Sequence, residues 1–528
     1  MAEDFTVAAI KEFSKNEKEI YGFARAYKEW GDRIFLLIYG AQSKKDVGKI
    51  VCGRNTFVME FLKVFEDSKL KAFIFQIEGS SENVEFIRIT KLNLVLTQVP
   101  FVFFNTEEQM RSSILVAANV SPAVGDRIVE VLIDESGFVV SDLEYTEKGY
   151  LERDQRDCKP YKSMTAETIR QRILGPNNPI KIMCHANLPG MEVTKFLTAK
   201  VLNNLPSSKF ILLEDCLLDY DDKFVAETAK WLFDNSYTRF YVCQKSFRNY
   251  MVRVKYGDKD YPLIICKKHD ILPFNQEIII PKSYLEFTGS PFYHAYTDHN
   301  DIDVLDAGEL EIPKEVHALK FTLEVDVSNF WSAQVRGIIF NKISRLSAQL
   351  DAKMFNIPVI GFYGELSFIY VKDENGKYML LDSWNGKLGK DLYISFDEKK
   401  PKFFENAVKT FLSKKNSVCH DLIKIVSTSP SELSTALHPF GYTISSDAQN
   451  PVLIAIDNHL GEKKAASPTF LMAMLLKQHL KELKNTIGKT PNKIGFCLFD
   501  DFENKEEAKK RLEKSATQFA GITIRGII

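Results

Sequence analysis

Residues 357–528 constrain the fold most. The stretch opens with an apolar run at Ile357, Val359 and Ile360, passes through GFYGE (Gly361 to Glu365) and continues as SFIYVKDENGKYMLLDSW. Two β-rich runs flank Asp373, Glu374, Asn375 and Gly376. Asn-Gly supplies the positive φ values a tight turn needs, so a hairpin is expected here. An amphipathic helix is expected over residues 469–483, a strand over 493–499, a charged helix over 503–519 and a final strand in ITIRGII.

At 528 residues the chain exceeds what one core usually supports, so about two to four domains are expected. With Lys+Arg 69 against Asp+Glu 70, no global field draws the chain to nucleic acid or an anionic membrane. No run reaches about 18 uncharged apolar residues, and MAEDFTVAAIKEF carries acids where a secretory signal is basic. The eight cysteines lie scattered, most of them in apolar runs such as IGFCLF, as reduced buried thiols do. These features point to the cytoplasm, with the nucleus not separated from it.

Along the chain, residues 5–30 read as a helix and RIFLLIY (Arg33 to Tyr39) as a buried strand. GAQSKKDVGKIVCGRN offers glycines with Lys44, Lys45 and Lys49, but lacks the Gly-Lys-Ser/Thr spacing of a phosphate loop. Strands are expected at 72–77, 84–89 and 92–104, followed by a helix over 106–119 with Glu107 and Glu108 at its positive end. IVEVLIDESGFVV reads as a hairpin, and Asp154 and Asp157 as an ordinary carboxylate pair on a solvated helix. IKIMCHA, NLPG and MEVTKFLTAKVLNNL form strand, turn and helix, then KFILLED and a helix over 222–233 repeat the alternation. Ligands in such sheets sit at the carboxyl ends of strands, which brings His185 close to a candidate site, although a hydrogen-bonded structural histidine is the simpler reading.

Residues 240–335 change character: RFYVCQ, YMVRVKYG, YPLIICK, QEIIIP, FYHAYT and LKFTLEVDV are short strands between polar turns, a β-sandwich-like pattern. His294, Asp298, His299, Asp301 and Asp303 cluster there. A closed zinc site uses better-separated pairs, and acids in turns cap backbone, so no metal is assigned.

The segments then resemble the 70-kDa heat-shock chaperone (DnaK-like) family. SPTFLMAMLLKQHLKELKNTIGKTPNKIGFCLFDDFENKEEAKKRLEKSATQFAGITIRGII keeps that family's order of helix, Gly-Lys-Thr connector, strand, acidic loop, helix, Ala-Gly turn and strand. HPFGYTISSDAQNPVLIAI, FFENAVKTFLSKKNSV and GFYGELSFIYVKDENGKYMLLDSWNGKLGKDLYISF extend the likeness to its first nucleotide-binding lobe. Residues 178–232 are similar to the end of its second lobe and 266–335 to its peptide-binding β-domain. The resemblance implies degenerate actin-like/sugar-kinase-like α/β ATPase lobes plus a β-sandwich-like module of the peptide-binding type. The domains are then a second-lobe-like region at 1–239, the β-module at 240–345 and a first-lobe-like domain at 346–528. Because the first-lobe segment follows the β-module, the chain is either permuted or built from two tandem copies. A permuted chain would pack 180–235 against 357–371.

The family's first phosphate loop carries an Asp before Leu-Gly-Thr-Thr; here Phe362, Tyr363, Gly364, Glu365 and Leu366 stand there, and only Gly364 matches. A phenylalanine cannot organise a cation, and Glu365 adds negative charge where phosphate charge must be neutralised. Lys424, in HDLIKIV, is out of register with the family's catalytic lysine. Met183 and Cys184 replace the adenosine-contacting glycines, and Asn187 replaces the base-stacking arginine. Gly364 and Asn187 are therefore the family-equivalent cofactor positions, with no catalytic residue assigned. The expected function is binding of a protein or unfolded peptide without ATPase turnover and without a cofactor. A divergent ATP/ADP- and Mg-dependent folding chaperone is the alternative, and a metal-dependent enzyme at the 294–303 turn the third.

Overall fold

The computed structural model describes residues 16–26, 31, 33–59, 70–77, 84–186, 188–256, 259–282, 291–296, 306–353, 355–435, 442–499, 505–519, 521 and 523–527. It is a mixed α/β structure in which three sheets share one strand pattern. The first contains β1 (Ile20–Ala26), β2 (Arg33–Gly40), β3 (Asp46–Gly53), β4 (Leu70–Ile77) and β5 (Phe101–Phe104), in the order β3-β2-β1-β4-β5. The first three strands form an antiparallel meander, while β4 and β5 add in parallel. Parallel neighbours need a crossover, and α1 (Val84–Thr97) supplies the one from β4 to β5.

The second sheet repeats this plan with β6 (Arg127–Ile133), β7 (Phe138–Thr146), β8 (Gly149–Cys158), β9 (Lys181–Ala186) and β10 (Phe210–Leu213), ordered β10-β9-β6-β7-β8. The region read as one lobe, 1–239, thus contains two sheets. Two helices tie them together. α2 (Thr106–Ala118) follows β5 in sequence and packs on β9 and β10 of the second sheet as well as on β4 of the first. α3 (Asp221–Phe233) follows the second sheet and packs on β1 and β4 of the first. Phe224, Val225 and Trp231 enter the core of Phe23, Ile74, Val102 and Phe104, and Arg25 meets Asp221 at 2.5 Å. Residues 20–104 therefore supply the partner that a permuted chain would have sought for 180–235 in residues 357–371.

Arg111 of α2 reaches the second sheet through charge. Its guanidinium lies 2.6 Å from Glu152 and 3.6 Å from Glu130 and donates to Ser141 at 3.1 Å. Burial pushes the Glu130 carboxyl up to about 7 against the opposing pull of Arg111. Lys245, just before the β-module, pairs with the other oxygen of Glu152. The backbone there runs beside β8, with Tyr150 N–H donating to Tyr241 and Cys243 N–H to Tyr150.

The β-module comprises β11 (Asn249–Tyr256), β12 (Lys259–Cys266), β13 (Phe274–Pro281), β14 (Phe292–Tyr296), β15 (Asp306–Glu309), β16 (Ala318–Val325) and β17 (Trp331–Ile338). Its sheets, β12-β11-β14-β15 and β13-β16-β17, share a core that includes Tyr250, Val252, Ile264, Leu319, Phe321 and Leu323. After α4 (Asn341–Ala352) comes the third sheet: β18 (Val359–Tyr363), β19 (Leu366–Lys372), β20 (Tyr378–Leu380), β21 (Lys493–Leu498) and β22 (Thr523–Ile527). Its order β20-β19-β18-β21-β22 and its strand senses match the first two. Between β20 and β21 lie two small sheets and the long α5 (Pro468–Ile487), while α6 (Lys505–Lys514) crosses from β21 to β22.

Several expectations are corrected. Ile20–Ala26 is a central strand rather than part of a helix, because both of its faces are covered and packing overrides local propensity. Gly22 lets the Phe73 ring approach, since a Cβ there would lie 2.6 Å from it. The strand expected at 84–89 is the start of α1, and the strand expected at 92–104 is confined to β5. Phe86, Thr90 and Leu94 are buried at helical spacing, while Leu92, Val95 and Leu96 stay exposed, so apolar residues on the outer face conceal the period. RFYVCQ makes a single bridge, Tyr150 with Val242, rather than a strand. The 106–119 helix forms as expected, with the Asn105 side chain accepting from Glu108 N–H at 2.8 Å.

Replacing Arg111 by Met is expected to leave the buried Glu130 without its cation, while Glu152 keeps Lys245, and to cost about 3–5 kcal/mol. Lys245→Met leaves the Arg111–Glu152 pair in place and should cost clearly less. Urea denaturation of both variants, followed by circular dichroism, checks the order; equal midpoints would contradict it.

Candidate functional site at the Phe362–Leu366 turn

β18 and β19 pair from Val359–Tyr370 to Tyr363–Leu366, leaving Gly364 and Glu365 as a two-residue turn. Gly364 adopts φ +53, a conformation glycine enters without steric cost. Glu365 folds inward and is 5 % exposed. One carboxylate oxygen accepts from the Tyr393 hydroxyl at 2.5 Å and the other lies 2.8 Å from His420 Nδ1. The Tyr393 and His420 rings stack at 5.1 Å, and Tyr442 donates its hydroxyl to the His420 carbonyl. The acid at this turn is thus engaged by two aromatic side chains.

Phe362 is fully buried, edge-on to Phe496 at 5.6 Å and near His479 at 6.2 Å. His479 donates Nδ1–H to the Leu475 carbonyl one helical turn earlier and lies 4.4 Å from the Trp384 ring. Burial pulls its pKa down to about 4. Trp384 in turn donates Nε1–H to Ser367. Aromatic and imidazole rings therefore fill the sheet end beneath the turn.

Beside the turn lies a cavity of about 610 Å³ between this unit and the β-module. Leu366, Asp382, Asn385 and Lys390 line one side; Lys282 and His317 line the other. His317 joins the two bodies: its Nε2 reaches the Lys387 carbonyl at 2.7 Å, and its Nδ1 accepts from Phe340 N–H at 2.8 Å. Lys390 rests over the Trp384 ring at 4.6 Å. Phe404, in the same wall, has φ +56, a rare value for a bulky residue and one that marks local strain.

The other sequence candidates do not converge here. Lys424 is exposed on the short helix Leu422–Ser427. Met183 and Cys184 are buried in β9, Met183 against Ile114 and Leu115. Burial lowers the pKa of His185, which contacts the Asp215 carbonyl at 3.4 Å. Asn187 lies outside the described residues, as do Asp298, His299, Asp301 and Asp303. His294 sits on β14, paired with Met251 and Ala307. Among the described residues no group of three or more His, Cys, Asp or Glu could hold a metal. Asp154 and Asp157 fall on β8, not on a helix, and their odd spacing sends them to opposite faces. The Lys44–Lys49 stretch closes the β2–β3 hairpin, with Lys44 N–H donating to Gly40.

No protein-family model matches the chain, and no curated protein matches it.

The residues that sequence reasoning missed are Tyr393, His420 and His479. Each lies at least 28 residues from Glu365 or Phe362 in the chain, and no local spacing links them. The imidazole of His479 titrates near 6.5 when exposed and near 4 when folded, so the unfolded chain binds its proton first. Stability is therefore lost as pH falls between those values, by about 3 kcal/mol from this group. His479→Leu should flatten that limb of the stability–pH curve; an unchanged slope would refute the assignment. Glu365→Gln should cost about 1.5–3 kcal/mol by weakening the charge-assisted bonds to Tyr393 and His420, read as a lower melting temperature.

Proposed function

We propose that this protein is a degenerate DnaK-like scaffold that binds a protein or peptide partner and does not turn over ATP. The observation that carries the reading is the filled turn. Phe362 occupies the place of a cation-organising acid and is buried among rings, and the Glu365 carboxylate is held by Tyr393 and His420 where phosphate would need donors. Gly364, the one residue that matches the family's loop, takes φ +53 in a two-residue turn.

The strand pattern, repeated three times, and the exchanged α2 and α3 support actin-like lobes. Their pairing within residues 20–233 favours tandem copies over permutation. Further support comes from the β-module, whose terminal strands β12, β15, β13 and β17 each pair on one side within their sheets. Such edges accept an extended chain by strand addition, which gives sequence-tolerant affinity.

Two measurements on the full chain test the reading. Phosphate release from ATP with magnesium should not exceed that of a heat-inactivated control. Fluorescent extended apolar peptides should bind with saturable anisotropy. Turnover that disappears on Gly364→Val would overturn the first part; failure of every peptide to bind would overturn the second.

A further inference from the structure

We propose that the slot where α1, β5 and the Asp326–Phe330 turn meet is a binding site for a small amphipathic anion, with a flat apolar body and one acidic head. The slot has a volume of about 300 Å³, at the lower end of the range typical of small-molecule sites. It is independent of the Phe362–Leu366 turn and of the reading built on it.

The floor is aromatic. Phe103 and Phe330 meet edge to face at 5.1 Å, and Tyr250 and Trp331 lie 5.5 Å apart. These rings are set by a tight turn: Asp326 N–H donates to the Phe330 carbonyl, Asn329 takes φ +61, and Tyr250 donates its hydroxyl to the Asn329 carbonyl. Ser328 accepts from Phe103 N–H and locks the turn against the first sheet. Rings fixed in this way offer faces and edges to a planar guest. Leu92, 56 % exposed, extends the apolar surface at the mouth.

The wall is cationic. Arg88, Lys91 and Arg248 line the slot, and among the described residues lining it none carries a carboxylate. Lys91 sits 3.9 Å above the Phe330 ring and 3.2 Å from Asp326, so it is already anchored beside the aromatic floor. Arg248 is 7 % exposed, which places a guanidinium charge in a region of reduced solvent screening. An apolar floor with a positive wall selects against neutral and cationic guests of the same shape. The small volume and the net charge of −1 of the whole chain argue against a polyanion.

The test uses the full chain with two naphthalene probes, 8-anilinonaphthalene-1-sulfonate and its uncharged relative N-phenyl-1-naphthylamine. The anionic probe should bind saturably at one site and draw energy transfer from tryptophan that Trp331→Phe clearly reduces. Arg88→Gln combined with Lys91→Gln should weaken the anionic probe about tenfold and leave the neutral one unchanged. Asp326→Asn keeps the oxygen that caps the turn, removes the opposing charge and should tighten the anionic probe. The proposal fails if the anionic probe does not saturate, if Trp331→Phe leaves the energy transfer undiminished, or if both probes respond alike to the charge variants. It also fails if Asp326→Asn weakens the anionic probe.

Discussion

The exchange of helices between the two amino-terminal sheets is the constraint on which the rest depends. A parallel strand pair cannot close without a crossover, and each sheet has an apolar face that water would otherwise meet. α2 lies between the sheets, on β4 of the first and on β9 and β10 of the second; α3 leaves the second sheet, covers the first and packs on α2. Neither sheet can separate without exposing Ile114 and Leu115 on one side or Phe224 and Trp231 on the other. Arg111 adds a polar condition. Inside the second sheet its guanidinium is shared between Glu152 and Glu130, and Lys245 extends the network to the approach of the β-module.

The same β-module meets α/β units at two places, by different chemistry. Toward the first sheet the contact is the Asp326–Phe330 turn, with Ser328 on Phe103 N–H and Phe330 on the Phe103 ring. Toward the third it is His317, both of whose ring nitrogens are engaged. That geometry assigns the neutral tautomer with its proton on Nε2, because Nδ1 faces a backbone N–H donor. Burial holds the His317 pKa down, in keeping with an uncharged ring at this joint.

At the Phe362–Leu366 turn, a sheet end of the kind that can hold a ligand is filled by its own side chains. Phe362 takes the space and the Tyr393–His420 pair engages the Glu365 carboxyl. Room persists beside the turn, where the cavity against the β-module carries lysines and aspartates together. The strained Phe404 and the left-handed Asn385 in its wall show a backbone held by its surroundings rather than by local preference.

Sequence alone determined much of the element pattern. The place of the 373–376 turn, the Asn105 cap of α2, the strand at β9, α5 and the β-rich run after residue 248 follow from turn chemistry, capping and period, all of which act over a few residues, although of the Asn-Gly pair only Gly376 takes the positive φ expected of both. Where local signals conflicted, tertiary structure decided. Ile20–Ala26 became a central strand because neighbours cover both of its faces, and Val84–Thr97 became a helix although apolar residues on its outer face hid the period. The repetition of one strand order three times was not legible, since pairing order depends on contacts between distant segments. The site divides in the same way. Phe362 and Glu365 could be read directly as residues unsuited to phosphate and cation. That His420, 55 residues away, meets the Glu365 carboxyl and that His479 encloses Phe362 are properties of packing, because only the folded sheet brings those rings together.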